Sequence, residues 1–102
     1  MKQDLLKIIN NYGVMSQLKY FQSEVFELNE AIIKEETKMS FKNTRFNNKH
    51  ITEEIADVLV MLKQFQYYYK IEDKEIEEVM KYKIERQLKR IEEQQCINSN
   101  QD

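Results

Sequence analysis

The feature that most constrains the fold of this chain is its near lack of turn-forming residues. Its 102 residues include one glycine and no proline. A β-rich or α/β fold needs such residues every few positions, so we expect an all-α fold of long helices. The length suits one domain, and a thin helical bundle of this size buries too little surface to be very stable alone. Length therefore favours a homo-oligomer.

Apolar residues recur at helical spacing in four segments, residues 2–11, 15–37, 51–70 and 73–93. Gly13 is expected to end the first helix in a left-handed conformation, and Asp73 to cap the fourth. The predicted buried stripe of the second helix is Leu18, Phe21, Val25, Leu28 and Ile32. That of the third helix is Ile51, Ile55, Val58, Leu62, Phe65 and Tyr69.

The segment 38–50 breaks this pattern and is predicted to be a basic loop. A loop of about a dozen residues favours an antiparallel hairpin of the second and third helices. We expect dimerisation to complete this hairpin into a four-helix bundle. Residues 1–95 are predicted to form a single domain, and residues 96–102 a frayed tail.

Charge and cysteine content exclude several classes of function. With 16 basic and 18 acidic residues the formal net charge is -2, which argues against a sequence-independent nucleic-acid binder. The single cysteine, Cys96, excludes an intrachain disulfide and a cysteine zinc site. No segment resembles a signal peptide, and no apolar run approaches about 18 residues. We expect a cytoplasmic protein without a membrane partner.

Each of the two central helices carries two carboxylates three residues apart, Glu24 with Glu27 and Glu54 with Asp57. At about 100° per residue, the first pair lies roughly 80° and 140° from the centre of its apolar stripe. The second pair lies roughly 60° and 120° away in the same rotational sense. In an antiparallel hairpin, offsets of equal sense fall on the same flank, so all four carboxylates could converge there. The sequence leaves their relative height along the hairpin open.

Four converging carboxylates repel one another unless a cation is bound. Ligand sets made only of oxygen select Mg²⁺, with Mn²⁺ as a substitute. In a chain that is 33% charged, however, two glutamates on one helical face are commonly solvated. The carboxylate pattern is therefore compatible with two functions. One is a metal-dependent enzyme, and the other is a non-enzymatic helical adaptor or regulatory protein with a solvated acidic face.

The acidic blocks resemble those of the MazG-like all-α nucleoside triphosphate pyrophosphohydrolase superfamily, which has ExxE and ExxD on two helices joined by a variable loop. Here the blocks read SEVFELNEAI (23–32) and ITEEIADVLVML (51–62), and KYKIERQLKR (81–90) is similar to the family's basic C-terminal helix. The resemblance implies Mg²⁺-dependent hydrolysis of an NTP or dNTP to the monophosphate and pyrophosphate, by attack of a metal-activated water at the α-phosphate. It implies that the ligands of Mg²⁺ are Glu24, Glu27, Glu54 and Asp57. A phosphoribosyl-ATP or dUTP specialist of the superfamily is an alternative.

One position departs from the family pattern, which often has EExxE in the first block. Ser23 stands where the first of those acids would be. The group that orients the attacking water is then Glu53, Glu30 or a metal-bound hydroxide, and Glu53 is our candidate catalytic residue. The resemblance also implies that Lys83 and Arg86 bind the substrate phosphates. Without it, these two cations are solvated partners of nearby acids.

Three further features are two cations in the basic loop, a second apolar surface on the second helix and the single histidine. Arg45 and Lys49 are candidates for closing the basic loop over the phosphates. Phe26 and Ile33 lie off the main stripe and mark a second apolar surface, as expected for a bundle completed by another subunit in a homodimer or homotetramer. His50, the only histidine, is expected to be a cap or a surface residue.

Overall fold

A computed structural model describes residues 1–42 and 48–99, with the backbone alone for 39–42. The described residues form four helices and no strand: α1 (Lys2–Tyr12), α2 (Val14–Lys42), α3 (Asn48–Tyr68) and α4 (Asp73–Ser99). The prediction of an all-α fold is confirmed. None of the helices in this part of the chain is long and apolar enough to cross a membrane.

The chain divides into two compact units, Met1–Lys70 and Ile71–Asp102. In the first unit α2 packs against α3, and α1 packs against both. Its core is small; among the described residues, the buried apolar side chains are Leu5 and Ile9 of α1, Ala31 of α2 and Met61 of α3. The second unit contains α4, in which no described side chain is buried.

The helices α2 and α3 form an antiparallel hairpin, because early residues of α2 contact late residues of α3. Nε2 of Gln17 donates a hydrogen bond to Oε1 of Gln64 at 2.8 Å. The rings of Phe21 and Phe65 meet edge to face, with centroids 5.7 Å apart. Both glutamines are buried, so breaking their hydrogen bond would leave two buried amides unsatisfied. This pair therefore selects one alignment of the two helices.

The buried face of α2 is rotated relative to the predicted stripe. Phe21 and Leu28 are half-buried as predicted, but Leu18, Val25 and Ile32 are exposed, and that part of the prediction is wrong. The side chains that are buried or half-buried follow a regular spacing of three and four: Val14, Gln17, Phe21, Glu24, Leu28, Ala31 and Glu35. We call the contact between α2 and α3 the seam. The face of α2 that is buried is the one whose glutamine, phenylalanine and small alanine fit against α3 in this seam.

The helix α3 shows the same rotation. Ile55, Leu62 and Tyr69 of the predicted stripe are exposed, with Tyr69 61% exposed just after the helix ends. The buried or half-buried side chains that form the seam of this helix are Ile51, Glu54, Val58, Met61, Gln64 and Phe65. On both helices an acidic residue thus occupies a seam position, and apolar residues are left outside it.

Five helix ends differ from the sequence prediction: the end of α2, both ends of α3 and both ends of α4. Residues 38–42 and 48–50 are helical, so the predicted loop 38–50 is too long at both ends. The third helix stops at Tyr68, and Lys70 has a left-handed φ of 60°. The N-cap of α4 is Glu72, whose N–H donates to Oε2 of Glu75 at 2.7 Å, and Asp73 is the first helical residue. The fourth helix continues through Ser99, beyond residue 93.

Gly13 is the only residue between α1 and α2. Its φ of 91° is positive, as expected, but its ψ of 152° lies outside the left-handed helical region. This combination of angles is essentially restricted to glycine. The N–H of Gly13 donates to the carbonyl of Ile9 at 2.8 Å, and its carbonyl accepts from the N–H of Gln17 at 3.0 Å. One residue therefore ends one helix and begins the next.

Replacing Gly13 by alanine should lower the free energy of unfolding by about 1–3 kcal/mol, because an L-residue is strained at these angles. An added Cβ would meet nothing within 4 Å, so the cost comes from the backbone alone. Urea denaturation followed by circular dichroism measures it. Asn11→Ala in α1 is the control and should be neutral or slightly stabilising, since alanine is the better helix former. Equal stability of the two variants would contradict the assigned strain.

Candidate metal centre

The glutamine pair sets the height of the carboxylates along the hairpin. Gln17 and Glu24 are seven residues apart on α2, and Asp57 and Gln64 are seven residues apart on α3. Seven residues are two helical turns, or about 10 Å. In an antiparallel pair, the contact of Gln17 with Gln64 therefore brings Glu24 level with Asp57. The relative height that the sequence left open is determined by this contact.

The same alignment gathers three carboxylates. One oxygen from each of Glu24, Glu27 and Glu54 lies within 4.8 Å of the other two. Glu24 is buried at 9% exposure, Glu54 is half-buried and Glu27 is exposed. The predicted offset of Glu24 and Glu54 to the side of the seam is wrong, because both occupy seam positions. Asp57 is exposed and outside this group of three, but it acts on Glu24 through its charge.

The environment of Glu24 disfavours its ionised form. Burial raises the pKa of this carboxyl above its ordinary value of 4.5. The negative charges of Glu27, Asp57 and Glu54 raise the pKa further, because each repels the Glu24 carboxylate. A hydrogen bond with the Glu27 side chain, which the protonated carboxyl donates, acts in the same direction. The cluster therefore favours a bound positive charge, either a proton or a cation.

Two oxygens of the cluster are buried and have no hydrogen-bond partner among the described residues: Oε2 of Glu24 and Oε2 of Glu54. Buried polar atoms are almost always paired, and an unpaired one costs about 1–3 kcal/mol. A hard divalent cation fits this donor set, which consists of carboxylate oxygens alone. Cation–oxygen distances of about 2.1–2.5 Å allow ligand oxygens on one cation to be up to about 4–5 Å apart. The three carboxylates, with oxygens within 4.8 Å of one another, meet this condition.

The other predicted site residues lie outside this group. Glu53 is exposed on α3, turned by about 100° from its neighbour Glu54. Lys49 is exposed in the first turn of the same helix. Lys83 and Arg86 are exposed on α4, in the second unit. The roles of these residues stay predictions, and Arg45 lies outside the described residues.

Sequence reasoning did not connect His50 with the carboxylates. Its Nε2 lies 3.8 Å from Oε1 of Glu54, and its side chain is 53% exposed. The signal that would have found this contact is the spacing, because residues four apart on a helix are neighbours. His50 therefore lies beside the cluster.

Comparisons with protein-family models, with curated proteins and with solved structures find no match to this chain. The kind of site is therefore defined by its geometry. Two antiparallel helices bring three carboxylates together, and two of their oxygens are buried and in need of a partner. Such an arrangement is suited to holding a hard divalent cation.

In the metal-free protein, Glu24→Gln should raise stability at neutral pH. The pKa of Glu24 is raised on folding, so the unfolded chain releases this proton first and stability falls as the pH rises from 4.5 through the raised pKa. The loss of stability caused by ionised Glu24 is complete above the raised pKa. It is absent below about pH 4, where Glu24 is protonated in both the folded and the unfolded chain.

Urea denaturation in EDTA between pH 4 and 8 tests this dependence. The stability difference between Glu24→Gln and the wild type should grow with pH. Glu92→Gln, which changes an exposed glutamate of α4, is the control, and it should change stability little. A gain from Glu24→Gln that is the same at every pH would show that Glu24 is not destabilised by its ionisation.

Proposed function

We propose that this chain is a Mg²⁺-dependent nucleotide pyrophosphohydrolase of the MazG-like type, acting in the cytoplasm. It would hydrolyse a nucleoside triphosphate, NTP or dNTP, to the monophosphate and pyrophosphate. The observation that carries the proposal is the buried carboxylate of Glu24, whose Oε2 has no hydrogen-bond partner among the described residues. The adaptor alternative requires a solvated acidic face, and a buried, unpaired oxygen is not solvated.

In the proposed site, the role of the carboxylates in phosphoryl transfer would be to bind the metal ion. Such reactions need charge neutralisation and positioning more than covalent chemistry from the protein. Glu24, Glu27 and Glu54 would hold the cation, with Asp57 as the fourth acid. Mg²⁺ bound there would neutralise phosphate oxygens and lower the pKa of a coordinated water.

Three further residues of this chain have proposed roles. Glu53 would accept the proton of the attacking water. Lys83 and Arg86 would bind the phosphates of the leaving pyrophosphate through charge-assisted hydrogen bonds. All three are exposed, so their charged groups are available to a ligand.

Either Glu54→Gln or Asp57→Asn should lower the rate of pyrophosphate release about 100-fold or more, because each removes a carboxylate from the metal site. The measurement is pyrophosphate release from a panel of canonical and modified nucleoside triphosphates with Mg²⁺. Glu92→Gln, which removes an exposed carboxylate of α4, should keep full activity. Near-full activity of Glu54→Gln would contradict the assignment.

Binding of the metal has a readout separate from turnover. At a concentration about 100 times the dissociation constant, Mg²⁺ should stabilise the wild type by about 2.7 kcal/mol, and Glu54→Gln should lose this gain. Metal stabilisation without pyrophosphate release from any triphosphate would support the metal site and refute the enzyme. Absence of both would favour the helical adaptor.

We also propose that the chain works as a homodimer or homotetramer. Val25 and Ile55 lie roughly 80° from the centres of their seams, in the opposite sense to Glu27 and Asp57. In an antiparallel hairpin these offsets put the apolar side chains on one flank and the acids on the other. The exposed apolar flank comprises Leu18, Val25, Ile32, Ile55, Leu59 and Leu62. Phe26 and Ile33, predicted to lie at a subunit contact, are 60% and 55% exposed in the single chain.

Val25→Asp should shift the protein from dimer or tetramer to monomer, because it places a charge in the proposed apolar interface. Sedimentation equilibrium measures the change. Ser16→Asp adds the same charge to an exposed position of α2 on the acidic flank and should leave the assembly intact. A wild type that is monomeric at all concentrations would refute this part of the proposal.

A further inference from the structure

The two carboxylate oxygens of Glu54 differ in their surroundings. Oε2 is buried and has no hydrogen-bond partner among the described residues. Oε1 lies 3.8 Å from Nε2 of His50, which is one helical turn earlier on α3. One oxygen therefore lies beside the imidazole, while the other is buried and has no partner among the described residues.

We infer that His50 is a positioning residue for Glu54: its imidazole engages Oε1 and so directs Oε2 to the metal. The inference rests on the metal site of the proposed function. The terminal torsion of a glutamate is broad and roughly two-fold, so a carboxylate without a partner samples many orientations. A nitrogen donor beside one oxygen restricts that rotation.

The contact of His50 with Glu54 needs no charge on the imidazole. At 3.8 Å, Nε2 and Oε1 are too far apart for a hydrogen bond, and a rotation of the exposed His50 side chain would bring them within range. In the tautomer protonated at Nε2, the ring donates to Oε1 as a neutral group. His50 lies outside the group of three carboxylates within 4.8 Å, so it acts through Glu54 rather than as a ligand.

Residues that orient metal ligands typically contribute about 10–100-fold to metal affinity. A solvated ion pair on a helix surface contributes little by comparison. The chain offers a second pair of similar exposure for reference, because Nζ of Lys38 lies 4.0 Å from Oε2 of the half-buried Glu35 on α2. Neither Lys38 nor Glu35 belongs to the carboxylate group. Comparing variants of His50 with a variant of Lys38 therefore distinguishes an effect of orienting Glu54 from a general effect of changing a surface ion pair.

The experiment is a titration of the full chain with Mn²⁺, followed by electron paramagnetic resonance of the free ion. The variants are His50→Gln, whose amide nitrogen reaches the position of Nε2, and His50→Asn, whose amide ends near the position of Nδ1. We expect His50→Asn to weaken Mn²⁺ binding about tenfold and His50→Gln to stay within about twofold of the wild type. Lys38→Gln should not change the affinity, and circular dichroism checks helicity.

The outcomes separate this inference from the proposed function. If the wild type binds Mn²⁺ and both His50 variants bind equally well, His50 is a surface residue and the inference is overturned while the metal site stands. An equal loss in both variants overturns it too, because the donor at the position of Nε2 then makes no difference. A wild type that binds no Mn²⁺ overturns the metal site of the proposed function, and the inference with it.

Discussion

The hydrogen bond between Gln17 and Gln64 is the contact on which the rest of the hairpin depends. Both side chains are buried, and sliding one helix by a turn, about 5.4 Å, would separate them. Each amide left unsatisfied would cost about 1–3 kcal/mol, a large fraction of the stability of a small domain. Because the pair is two turns from the carboxylates on both helices, it also determines which acids meet. The alignment of α2 against α3 and the arrangement of the carboxylates are therefore set by the same contact.

The carboxylate cluster works against the stability of this small unit. Among the described residues only four apolar side chains are buried, yet Glu24 is buried too, and its pKa is raised by burial and by neighbouring charges. A buried charge without a partner is among the most destabilising features a core can contain. Sequences keep such locally unfavourable residues mainly where function requires them. The cost to folding is thus the physical argument for a ligand at this point.

The hairpin has two flanks of different chemistry. Glu27 and Asp57 lie on one flank, and apolar residues such as Val25 and Ile55 lie exposed on the other. Such a division gives a single pair of helices a charged surface on one side and an apolar surface on the other. It also explains why the stripe richest in apolar residues is not the seam between α2 and α3. The seam consists of side chains of α2 and α3 that pack against one another or form a hydrogen bond, such as Gln17 with Gln64.

The sequence by itself determined the helices and the candidate acids. The lack of glycine and proline and the recurrence of apolar residues are local signals, and they located four helices to within a few residues at most ends. The spacing of Glu24 with Glu27 and of Glu54 with Asp57 identified the acids. Only the tertiary structure decided the rotation and register of α2 against α3, and with them the burial of Glu24 and the contact of His50 with Glu54. The reason is that rotation and register depend on how side chains such as Gln17 and Gln64, 47 residues apart, fit each other, and the local pattern carries no signal for that fit.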